Sequence, residues 1–187
     1  MPLIPSGSSS FPLKTHLEKD PTLTTPALSI LINNAGILVS DRLDSPTLIK
    51  DTLDQLNTNA VGPLRVTLAV LPLLRKAAKE SPSGISKVAN ISSKMGSIGD
   101  GPGGGYYGYR ASKSAVNMIS VNLATDLAKD NILSIVLHPG YIRTKMTGNH
   151  GDMDPDECAT RLLRNIDAAT KADCARFIHR DGQTIPW

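Results

Sequence analysis

The chain has 187 residues, 40% of them hydrophobic and 20% charged, with a formal net charge of +3. That length suits one domain able to bury most of the surface its unfolded chain exposes. The charge surplus is small and scattered, with no basic run longer than Arg75-Lys76, which argues against a nucleic-acid partner or a membrane surface. No stretch approaches the roughly 20 apolar residues of a membrane span.

Residues 1–26 hold five of the 13 prolines (Pro2, Pro5, Pro12, Pro21, Pro26) and the run Ser6 to Ser10. This composition predicts an irregular arm with at most a short helix around Lys14 to Lys19. From Ala27 onward the pattern becomes that of an alternating α/β domain, 27–187. Leu28 to Ile32 reads as a buried strand, stopped by Asn33-Asn34-Ala35-Gly36. Leu48, Ile49, Leu53 and Leu56 stand at helical spacing within Thr47 to Asn59. Pro63 to Glu80 is a second helical stretch, with Pro72 predicting a kink. A turn at Ser81 to Gly84 leads into a strand from Ile85 to Ile91.

Tyr106 to Lys129 is the longest predicted helix, with a core stripe of Val116, Ile119, Leu123 and Leu127. Ile132 to Leu137 is a third buried strand, closed by His138-Pro139-Gly140. Pro155 to Ala169 is helical, and Arg176 to His179 is a short last strand. Strands separated by helices predict a parallel sheet of about four strands with helices on both faces. Cys158 and Cys174 stand in no metal-binding or redox spacing, so two free thiols and no metal site are expected. The N-terminus has neither the basic start nor the apolar stretch of a signal peptide. Together with the thiols this predicts a cytoplasmic protein.

Five short features carry chemistry. Tyr109 and Lys113 lie four residues apart, on one face of a helix. An ammonium there favours the phenolate and lowers the phenol from its usual value near 10. Ser93 ends the second strand, where a hydroxyl projects from the carboxyl edge of the sheet and can hydrogen-bond a reacting oxygen. Ser92 is the alternative, but strand alternation points the two side chains opposite ways. Gly36 lets backbone approach a ligand, while the Asn33 and Asn34 amides can bond backbone or ligand. Asn59 lies inside a helical run, either as a polar face residue or holding water in a proton relay. The turn Pro139-Gly140-Tyr141-Ile142-Arg143-Thr144 can present backbone amides and the Thr144 hydroxyl to a ligand.

Asn33-Asn34-Ala35-Gly36, Asn59, Ser93, Tyr109-x-x-x-Lys113 and Pro139-Gly140-x-x-x-Thr144 together resemble the short-chain dehydrogenase/reductase family, in family order, from about Leu28 to Trp187. Ile91 to Ile98, Tyr109-Arg-Ala-Ser-Lys113 and the closing Asp181-Gly-x-x-Ile-Pro-Trp187 look like its C-factor-like carbonyl reductase branch. The resemblance implies a Rossmann-like fold and hydride transfer between NAD(P)(H), with NADP favoured, and a small carbonyl or alcohol substrate. It implies catalytic roles for Asn59 (water relay), Ser93 (oxygen anchor), Tyr109 (acid/base) and Lys113 (ribose ligand and tuner). Cofactor contacts would come from Asn33, Asn34, Ala35, Gly36, Tyr109, Lys113, Pro139, Gly140, Ile142 and Thr144. It also implies a homo-oligomer through the helices around 63–80 and 106–129.

The family opens with a strand, a Gly-rich turn and a helix that takes the pyrophosphate. Residues 1–26 contain no Gly-x-x-x-Gly-x-Gly, and Gly7 stands alone. The sequence thus predicts an N-terminally truncated fold, with the strand at Leu28 to Ile32 as an apolar edge. Gly99 to Gly104 formally matches Gly-x-Gly-x-x-Gly but reads as the loop between Ser93 and Tyr109, placed to shape substrate entry. The alternative reading is an inactive remnant that serves as an interaction module with related chains. A sugar-nucleotide epimerase also uses Ser, Tyr and Lys, but the brevity of the chain and its Asn-Asn-Ala-Gly argue against it. Substrate choice is expected to rest on about Thr147 to Ala169.

Overall fold

The computed structural model describes Lys19, residues 27–100 and residues 103–187. The arm 1–26, Lys19 apart, therefore lies outside the described residues. Four parallel strands form one sheet in the order β1-β2-β3-β4: β1 (Ile30–Asn33), β2 (Ser86–Ile91), β3 (Ile132–His138) and β4 (Phe177–His179). The helices are α1 (Leu48–Leu56), α2 (Gly62–Glu80), α3 (Tyr107–Asp126) and α4 (Pro155–Ala168). The parallel sheet expected from the alternation of strands and helices, and the Rossmann-like arrangement implied by the resemblance, are what forms.

Strand alternation sorts the core. Val88 of β2 and Ile132 of β3 pack with Val70, Leu73, Leu74 and Ala78 of α2 on one face. Ala89, Ile135 and Leu137 face the other way and pack with Ile166 of α4. Among the described strands β1 has one neighbour, and Ile30 and Ile32 are 36% and 40% exposed, the apolar edge foreseen in the sequence.

Two local departures from the sequence pattern shape the carboxyl edge of the sheet. The predicted helices at 47–59 and 63–80 are joined by a π turn, Asn57–Val61, that carries Asn59. Such widened turns present side chains that a regular helix would turn elsewhere. The buried face of α3 is also more polar than its apolar spacing predicts: Ser112, Asn117 and Ser120 are buried with Val116, whereas Ile119 and Leu123 are half-buried. The polar groups are tolerated because each is hydrogen-bonded. Asn90 of β2 donates to Ser120 Oγ at 2.8 Å and Ser92 to Asn117 Oδ1 at 2.6 Å.

Candidate active site

The carboxyl ends of β1 and β2 and the first turns of α3 converge on one place, the usual location for ligands in such sheets. Ser92 continues the β2 face that meets α3, and its hydroxyl is spent there on Asn117. Ser93 points the other way, is 8% exposed, and accepts from the Met95 N–H at 3.2 Å. Tyr109, also 8% exposed, lies near enough for the Ser93 hydroxyl to favour its phenolate. Burial acts more strongly in the opposite direction, and the Tyr109 phenol is held above its ordinary value. This reverses the downward shift expected from Lys113. The ammonium lies 5.6 Å from the centre of the tyrosine ring, and burial, opposed in part by the Ser93 hydroxyl, sets the direction of the shift.

Lys113 is 5% exposed, and Nζ donates to the Ile91 carbonyl at 2.9 Å. Burial pushes its pKa down to about 8. Asn59, 1% exposed, clamps the loop after β1: Oδ1 accepts from the Ile37 N–H at 2.8 Å, and Nδ2 donates to the Ile37 carbonyl at 2.8 Å and Ser112 Oγ at 2.9 Å. Both amide hydrogens are thereby used, leaving a lone pair on Oδ1. Gly36 sits between these groups: a Cβ there would lie 3.2 Å from Asn59 Oδ1 and 3.7 Å from Lys113 Nζ. Ser93, Tyr109, Lys113, Gly36 and Asn59 thus follow one another as neighbours at the carboxyl edge of the sheet.

The remaining sequence candidates are placed differently. Asn33 is 7% exposed and its Nδ2 donates to Asn90 Oδ1 at 2.7 Å and Thr67 Oγ1 at 3.3 Å, so its side-chain donors are spent inside the sheet. Asn34 and Ala35 are exposed at the end of β1. Pro139 and Gly140 follow β3, and the Gly140 N–H donates to His138 Nδ1 at 3.3 Å. The Ile142 side chain packs with Met153 and Cys158, and its carbonyl accepts from Thr147 Oγ1 at 2.7 Å. Met153 and Cys158 are core residues there and line no part of the cavity beside Ser93. The Thr144 N–H donates to Thr147 Oγ1 at 3.0 Å.

Several neighbours were not legible as site residues. Asp41, 3% exposed, takes the Tyr107 N–H at 2.5 Å and the Gly108 N–H at 3.0 Å, capping α3 from 66 and 67 residues away. Such a cap completes the first turn of the helix that carries Tyr109. A cavity of about 440 Å³ beside Ser93 is lined by Lys94, Met95, Asp100, Arg110, His138 and Tyr141 among others. Its walls come from the loop after β2, the first turn of α3 and the turn after β3, while Glu157, Thr160, Arg161, Arg164 and Asn165 of the 147–169 segment line a separate cavity of about 540 Å³. Burial and positively charged neighbours bring the His138 pKa down to about 3.

The residues around Gly36 fit the ribose end of a nicotinamide cofactor. Among the described residues Lys113 Nζ has one protein acceptor for three hydrogens, and Gly36 leaves it accessible where a side chain would crowd it.

Comparison with known proteins agrees with this arrangement. The sequence model described as short chain dehydrogenase matches residues 22–155. A 1-hydroxy-2-glutathionyl-2-methyl-3-butene dehydrogenase of Rhodococcus sp. (strain AD45) is 38% identical over 165 residues, spanning 86% of this chain and 69% of the relative. The C-signal protein of Myxococcus xanthus is 35% identical over 163 residues, spanning 87% of this chain and 95% of the relative. Among solved structures, the carbonyl reductase Sniffer of D. melanogaster superposes with a TM-score of 0.87 at 32% identity, over 96% of this chain and 75% of that one. An NADPH-bound carbonyl reductase from chicken fatty liver gives 0.81 at 31% identity, over 94% and 72%. With the fold, the signatures and the relatives in agreement, the chain belongs to the short-chain dehydrogenase family, whose members are NAD(P)-dependent oxidoreductases.

Proposed function

We propose that this chain interconverts a carbonyl compound and the corresponding alcohol, with NADP(H) as cofactor. The observation that carries the proposal is the adjacency of Tyr109 to both Ser93 and Lys113, with Ser93 lining a cavity. When bound, the reduced nicotinamide supplies the hydride. The Ser93 hydroxyl hydrogen-bonds the carbonyl oxygen, where negative charge grows as the carbon is reduced. Tyr109, kept protonated by burial, gives its proton to that oxygen. Lys113 contributes two ways: it holds ribose hydroxyls and stabilises the phenolate left behind. Asn59 fixes the loop that carries Gly36, and its spare Oδ1 lone pair holds the water that returns a proton. In the alcohol-to-carbonyl direction the same groups act in reverse.

The NADP preference follows the NADPH-bound chicken reductase, and the alcohol substrate class follows the Rhodococcus relative. We further propose a cytoplasmic protein that self-associates through α2 and α3, whose Leu68 and Met118 are 57% and 61% exposed. A second reading, an interaction module, is favoured by exposed Ile30 and Ile32 on β1.

The test is Tyr109→Phe with NADPH and a panel of aldehydes and ketones. The enzyme reading expects wild-type turnover, a loss of at least about 10²-fold in kcat, and cofactor affinity within a few-fold. Equal rates in both proteins would refute the role of Tyr109. Absence of turnover in both, with a partner chain bound equally by both, would favour the module.

A further inference from the structure

The cavity beside Ser93 contains a charge that hydride transfer does not use. Arg110 follows Tyr109 in the first turn of α3 and lines this cavity together with Ser93. Its surroundings satisfy little of a guanidinium with five donors. Among the described residues Nη1 reaches only the Met95 carbonyl, at 3.5 Å. Nε is buried without a hydrogen-bond partner among the described residues. Nη2 faces Gly103, where even an added Cβ would stand 3.8 Å away. Among the described residues Arg110 enters no ion pair.

The other charges lining the cavity cancel. Lys94 Nζ lies 2.9 Å from the Asp100 carboxylate. His138 is neutral near pH 7, because burial and its cationic neighbours bring it to about 3. Lys113 is turned toward the Ile91 carbonyl and does not line this space. The wall therefore keeps one uncompensated positive charge, presented on a planar fork.

We propose that Arg110 binds a carboxylate of the substrate, so that the compounds turned over here are carbonyl compounds or alcohols carrying a carboxylate elsewhere in the molecule. This rests on the hydride-transfer reading of the site. A guanidinium pairs a carboxylate through two parallel hydrogen bonds, which fixes orientation as well as supplying attraction. Inside a cleft that attraction is stronger than in bulk water. Held at Arg110, the substrate cannot rotate freely, and its reacting carbon is presented to Ser93 and Tyr109 in a restricted set of poses. Arg110 touches no reacting atom; it acts on which substrate binds and in what orientation.

Binding separates the proposal from the reaction. The full chain is titrated with 4-methylbenzoate and with its uncharged analogue 4-methylbenzamide, by calorimetry, for the wild type, Arg110→Gln and Arg110→Lys. Melting temperature confirms that each variant folds. The carboxylate is expected to bind at least about tenfold tighter than the amide. That preference should vanish in Arg110→Gln, persist in part in Arg110→Lys, and shrink with added salt. Turnover is then compared for 4-carboxybenzaldehyde and methyl 4-formylbenzoate with NADPH. The kcat/KM ratio should favour the acid by about tenfold or more and fall toward one in Arg110→Gln. Equal affinity for the two probes, binding of neither, or a preference that survives Arg110→Gln would overturn the proposal. An Arg110-dependent binding preference without turnover of either aldehyde would support the carboxylate site while refuting hydride transfer.

Discussion

A Cβ placed on Gly96 would stand 2.6 Å from the carbonyl carbon of Lys113 and 2.7 Å from its Cβ. The turn after β2 therefore rests directly on the helix that carries the lysine. The Ser114 hydroxyl fastens the contact by donating to the Gly96 carbonyl at 2.8 Å. Ser93 and Lys113 owe their mutual position to a missing side chain.

Gly96→Ala should force the turn and α3 apart. Overpacking of this kind costs about 1–3 kcal/mol, and a displacement near 1 Å lowers turnover about 10²-fold. Urea denaturation and kcat measured side by side check both effects; wild-type values for each would show that the contact is not under compression.

Asp41 holds two N–H groups at the start of α3. Asp41→Ala should cost about 1–2 kcal/mol, as loss of a helix cap does. Asp41→Asn, which keeps an acceptor, should cost less. Thermal melts rank the three proteins, and a ranking with Asn as the worst would argue against the capping role.

The two adjacent serines should separate function from fold. Ser93→Ala is expected to lower kcat about 10²–10³-fold, the usual effect of removing one donor to a developing oxyanion, with little change in melting. Ser92→Ala leaves the buried Asn117 amide short of a partner and should cost about 1–3 kcal/mol of stability while turnover persists. The opposite pattern would mean that Ser92 faces the substrate.

His138 makes stability depend on pH. Its folded pKa is about 3 and its ordinary value 6.5. Between these values the unfolded chain binds a proton that the folded chain does not. Stability therefore falls as pH drops through that window, by up to about 1.4 kcal/mol per pH unit from this group. In His138→Asn that contribution to the slope should disappear, as read from urea midpoints between pH 6.5 and 4.

Much of this architecture is legible in the chain because the relevant signals are local. Runs such as Ile132 to Leu137 are apolar throughout, as fully buried strands are, and the strand boundaries differ by only one or two residues. Alternation alone tells Ser93 from Ser92. Other features depend on distant partners. Nothing near Asp41 shows that it caps a helix beginning at Tyr107, and nothing near Leu56 announces a π turn. Arg110 reads as an ordinary helical arginine until the fold sets it beside Met95 and Gly103. The phenol of Tyr109 departs from expectation for a similar reason: spacing shows the lysine four residues on, but not the burial that raises the phenol.

The hydrogen-bonded chain from Thr67 through Asn33 and Asn90 to Ser120 ties α2, β1, β2 and α3 together. Asn33 and Asn90 are direct partners in the β1–β2 pairing. Strands rich in Ile, Leu and Val can pair almost as well one step out of place, since one apolar residue replaces another. Here a slip of one residue would turn Asn33 to the other face of the sheet, away from Asn90 Oδ1 and Thr67 Oγ1, and leave its buried amide without those partners, a cost of about 1–3 kcal/mol. The polar chain thus proofreads the sheet, admitting the alignment that brings Gly36 level with Asn59 and rejecting its near misses.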